Sequence, residues 1–111
     1  MATLPNAHRA RLDVRKLADY ILNPGHPVGR HKAAIFRAAL GFSRSSMAVL
    51  ASAILRGVVT APATVTLTDH HGTRYLVDME IVGPTGIAIV RTGWIIEHGE
   101  TEPRFVTAYV R

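Results

Sequence analysis

The hydrophobic period of this chain changes at Pro62, and that one change limits what it can fold into. Before Pro62, apolar residues recur every three or four positions; after it, they alternate with polar ones. The first spacing lines one stripe of a helix, and the second lines one face of a strand. A chain written in that order is expected to be α+β, with three N-terminal helices packed on a four-stranded antiparallel sheet. Its 111 residues leave room for one such domain and little more.

Each helix carries its own boundary signals. Asp13 is the expected N-cap of a first helix reaching about Ile21, with Val14, Leu17, Ala18 and Ile21 on one stripe. Residues 1–12 ahead of it are expected to form an N-terminal tail to a domain over 13–111. Asn23-Pro24 stops the first helix. A second is expected from Arg30 to Leu40, with Ile35, Phe36, Ala39 and Leu40 inward and Gly41 as a left-handed cap. Ser43 opens a third, along which Met47, Leu50, Ala51, Ile54, Leu55 and Val58 trace an apolar stripe. Strands are expected over 64–68, 73–82, 87–97 and 104–110. The short turns between them predict a meander.

Composition removes whole classes of chemistry. With no cysteine, the chain has no disulfide, no thiolate metal site and no cysteine nucleophile. No apolar run approaches the roughly 20 residues of a membrane span. The first residues lack the apolar stretch of a secretory signal, so a cytoplasmic location is expected. Neither H-E-x-x-H, G-x-x-x-x-G-K-[ST] nor G-x-S-x-G occurs. His70-His71 sits at a turn where adjacent side chains diverge, so no metal or other cofactor is expected.

Charge is distributed unevenly. Residues 1–60 hold nine Lys and Arg against two acids, a net of +7; residues 61–111 hold four against six, a net of −2. A basic helical half suits RNA or an acidic partner protein, although a plainly solvated surface has the same composition.

Two clusters could carry chemistry. In His26-Pro27-Val28-Gly29-Arg30-His31-Lys32, prolines fix the backbone, glycines permit close approach, and four ionisable side chains crowd together. Arg30 and Lys32 open the second helix, whose free N–H groups favour an anion; a bound phosphate would relieve the repulsion between those cations and the helix end. The plainer reading is that His26 caps a turn while Arg30 and Lys32 extend into water. In the second cluster, alternation puts Thr92 and Trp94 on one face of the third strand. Pairing with the last strand is then expected to gather Thr92, Thr107, Tyr109 and an arginine near one sheet surface. Threonine and tyrosine are also simply good strand formers, and Trp94 reads as a core anchor.

These residues carry a resemblance. D-Y-I-L-N-P, H-P-V-G-R-H-K and F-R-A-A-L-G-F lie between Leu12 and Phe42. They are followed by G-T-R-Y-L-V-D at 72–78, V-R-T-G-W-I-I-E at 90–97 and P-R-F-V-T-A-Y at 103–109. In this order the segments resemble a bacterial family known as domain of unknown function 6883. That family in turn is similar to the barnase–EndoU–colicin–RelE superfamily of small ribonucleases, many of them toxins. Gly93 departs from the β-branched residue expected there, and residues 79–90 are less polar than expected.

The resemblance implies a metal-independent ribonuclease domain of toxin type, with RNA as substrate and an acidic antitoxin or immunity protein as partner. It puts forward His26, Arg30, Lys32, Thr92, Arg104, Thr107 and Tyr109. His26 is the expected acid or base, since its ordinary pKa lies near neutrality. The three cations would stabilise phosphate charge, and the hydroxyls would position it. The alternative from the residues is a non-catalytic module on the same scaffold, binding RNA or an acidic protein.

Overall fold

The computed structural model describes residues 2–111 and follows the expected order of elements. Helix α1 covers Val14–Lys16 and continues as a π-helical turn over Leu17–Ile21; α2 spans Arg30–Leu40 and α3 spans Met47–Gly57. The strands are β1 Ala63–Asp69, β2 Gly72–Val82, β3 Ile87–Glu97 and β4 Arg104–Val110. They form one antiparallel sheet in the order β1-β2-β3-β4. The protein is therefore α+β, with helices covering one sheet face. No single helix among the described residues is long and apolar enough to cross a membrane.

Local signals explain the element ends. The Asp13 carboxylate accepts from the Arg15 backbone N–H at 3.0 Å and meets its guanidinium. That side-chain bond, then the backbone one, holds the Asp13 pKa at about 2. Ser43 and Ser46 form a reciprocal capping box on the 3₁₀ turn leading into α3. Gly41 ends α2 at φ 80°, and its N–H bonds the Arg37 carbonyl at 3.0 Å.

The core lies between α2, α3 and the inner sheet face. Phe36, Leu40, Leu50, Ile54, Val77, Val90, Trp94 and Phe105 are buried together. Three expectations differ from this packing. Ile35 is 50% exposed, because the inward stripe of α2 runs through Ala33, Phe36 and Leu40. The first helix is not α-helical throughout, since the π turn adds a residue from Leu17 onward. Residues 2–12 are no loose tail: Leu4 and Ala7 join the core, and Arg11 bridges β4 beside Arg104.

The last strand contains a bulge. Gly93 pairs with Thr107 while Trp94 pairs with Phe105, so Val106 is an extra residue. Phe105 and Ala108 are therefore both buried on the helix side. Thr107 and Tyr109 turn to the opposite face, where Tyr109 pairs with Arg91.

Candidate functional site

Lys32 organises the site. It lies one turn before the buried Phe36, so its stem borders the core and its ammonium emerges at the β4 edge of the sheet. There Nζ donates to Thr107 Oγ1 at 2.9 Å. It also lies 5.3 Å from the Tyr20 ring centroid and 5.8 Å from that of Tyr109, within cation–π range. Burial lowers the Lys32 pKa from the ordinary lysine value. The result is a half-buried cation walled by two aromatic rings and held by one hydroxyl.

Tyr20 links Lys32 to the loop. Its ring meets that of His26 edge-on, with centroids 4.7 Å apart. Two features place it: the π turn that carries it, and Gly29, where any Cβ would fall on the Tyr20 carbonyl oxygen. Gly29 thus lets the loop approach this helix. His26 Nδ1 accepts from the N–H groups of Val28 at 3.0 Å and Gly29 at 2.9 Å. The neutral ring must therefore carry its proton on Nε2. His26 caps the turn into α2, as the plainer reading expects, while Lys32 does not extend freely into water.

A polar network continues across the outer sheet face. Arg91 clasps Asp78 through bonds of 2.8 and 3.0 Å, and Arg111 adds a third at 3.0 Å. Asp78, then the neighbouring Tyr109 hydroxyl, raises the Arg91 pKa above the ordinary value, and the Asp78 carboxyl is correspondingly lowered.

The seven expected residues thus divide. Thr107 and Tyr109 meet Lys32, and Lys32 and His26 both meet Tyr20, which the sequence reading did not single out. Its one hint is an aromatic residue off the apolar stripe, immediately before the Asn-Pro stop. Arg91 is the arginine that joins them, in place of Arg104.

Three of the seven lie elsewhere. Thr92 is 0% exposed on the helix side; its hydroxyl donates to the Val77 carbonyl at 2.8 Å and accepts from Trp94 Nε1 at 2.7 Å. It fixes Trp94 and is closed to any ligand. The Val106 bulge is the reason it does not share a face with Thr107. Arg104 pairs with Glu97 at the start of β4, in a concavity with Arg11 and Glu102. Arg30 stands two residues from Lys32, on another side of α2. No group of three His, Asp or Glu side chains converges as a metal site among the described residues.

A helix-covered meander with a half-buried lysine at its edge strand defines the class of domain. The chain belongs to the family described as domain of unknown function (DUF6883), which it matches over residues 3–111. No curated protein and no solved structure matches it.

Proposed function

We propose that this protein is a small ribonuclease domain of bacterial toxin type that cleaves RNA without a metal ion, with Lys32 at its reactive centre. One observation supports this most: the Lys32 ammonium, its pKa lowered by burial, is held by Thr107 between Tyr20 and Tyr109. A desolvated lysine beside hydroxyl donors suits proton transfer at a phosphodiester.

In this reading the ribose 2′-oxygen attacks phosphorus as its proton passes to Lys32 in its amine form, whose share burial raises. The bond to the 5′-oxygen breaks as the Tyr109 hydroxyl protonates it. Arg91, beside Tyr109, supplies positive charge to the phosphorane. His26 offers Nε2–H to a phosphate oxygen and positions the loop. The similarity to the barnase–EndoU–colicin–RelE ribonucleases belongs to the same proposal, as do the toxin role, an acidic antitoxin or immunity partner and a cytoplasmic site of action. Helices preceding a four-stranded antiparallel sheet agree with it.

His26 favours a second reading. Its Nδ1 accepts from two backbone N–H groups and so holds the turn into α2. A histidine engaged in shaping the loop suits a module that binds RNA or an acidic protein without turnover. Incubation of the purified protein with several RNA classes in EDTA separates the two. Cleavage falling roughly 100-fold or more in Lys32→Ala supports the ribonuclease. Salt-sensitive binding with no cleavage of any RNA supports the module.

A further inference from the structure

The other side of α2 borders a second concavity, a groove of about 750 Å³ between that helix and the Ser43–Ser45 turn. Its apolar surface comes from the exposed Pro24 and Ala34, with Leu22, Ala33 and Phe42 buried beneath them. Arg30, Arg37 and Arg44 form its rim. Arg44 is matched by Asp19 at 3.0 Å. Among the described residues neither Arg30 nor Arg37 has an ion-pair partner, and of the unpaired arginines these two share one groove. Two unmatched cations therefore flank an apolar trough.

We propose that this groove docks an acidic amphipathic helix of a partner protein. Charge complementarity carries the argument. Arg30 and Arg37 are seven residues apart, two helical turns or about 10 Å along α2. Ala33 and Ala34 between them leave the trough low enough for a second helix to lie close. Leucines at helical spacing fill the trough while carboxylates two turns apart on their flank reach both arginines. A nucleic-acid strand fits less well. Bases stack on exposed aromatic faces, and Phe42 is wholly buried beneath the groove. The proposal is independent of Lys32 and of RNA cleavage.

The test uses the full chain and a fluorescein-labelled synthetic helix with one leucine stripe flanked by glutamates, read by anisotropy. Binding is expected to weaken roughly tenfold or more in R30E/R37E, less in R30Q/R37Q, and again in A34W, which obstructs the trough. R56E/R74E changes net charge equally and is expected to bind as the unaltered protein does. Circular dichroism checks that each variant is folded. Equal binding of a composition-matched peptide with its stripe scrambled overturns the proposal, as does unchanged binding by R30E/R37E. Displacement of the helix by an RNA oligonucleotide, itself no longer bound by R30E/R37E, assigns the groove to RNA and also overturns it. Self-association abolished by the same pair of changes gives the groove to a second copy, with the same consequence.

Discussion

Lys32 and Thr107 lie 75 positions apart in sequence, and the lysine ammonium donates to the threonine hydroxyl at 2.9 Å. The bond joins the first turns of α2 to the outer side of the edge strand. It also satisfies a cation that burial disfavours. Function and stability are therefore expected to oppose each other here.

Thr107→Val removes the acceptor and leaves the desolvated ammonium in place. A loss of about 1 kcal/mol is expected in urea or guanidinium unfolding. Lys32→Met keeps the packed stem and removes the charge, so its stability is expected to equal or exceed that of the native protein. RNA cleavage is nevertheless expected to disappear in Lys32→Met. A methionine variant as destabilised as Thr107→Val would count against this account.

His26→Ala removes the acceptor of two backbone N–H groups at the entrance to α2. The expected cost is about 1 kcal/mol, as for other lost caps. His26→Asn is expected to recover part of that stability, because its side-chain oxygen can accept again. If alanine leaves the unfolding midpoint unchanged, the capping role fails.

Thr92→Val tests the residue that the core claims. The change leaves Trp94 Nε1 without its acceptor in a buried site, at an expected cost of about 1–3 kcal/mol. Tryptophan fluorescence should shift, whereas RNA affinity under folding conditions should not. A selective loss of RNA affinity in a stably folded variant would return Thr92 to the site.

Acid should weaken the outer face. Asp78 is lowered from the ordinary carboxylate range chiefly by its bond to Arg91. Its folded pKa lies below its unfolded one, so the unfolded chain binds more protons between the two. The contribution of Asp78 is then fully present above the unfolded value and is lost as pH falls through the folded one. Thermal unfolding from pH 6 to pH 2 should fall less steeply in Asp78→Asn than in the native protein. Parallel curves would show that the pairing adds nothing.

How much of this the sequence discloses depends on the length of each signal. Val14 to Val58 repeats at helical spacing and Thr64 to Val110 alternates over many residues, so element type, order and sheet class are legible. Single-residue insertions are not. The π turn after Lys16 and the extra Val106 each break a period for one position, which a pattern read over a window averages away. Those two places aim Tyr20 at Lys32 and separate Thr107 from Thr92. His26 and Lys32 were visible because an irregular loop crowds ionisable groups. The pairing of Arg91 with Tyr109 was not, because it depends on register across two strands.

Val106 gives β4 two phases. On one side of it the strand presents Phe105 to the core; beyond it, Thr107 and Tyr109 are offered to Lys32 while Ala108 still packs inward. Deleting this single residue would slide the strand's later half by one step and exchange its faces. Thr107 and Tyr109 would be driven against the helices, and Ala108 would be left in front of the lysine. The separation of the core side from the Lys32 side along this strand is thus a matter of counting, held by one residue whose own side chain need take no part in either.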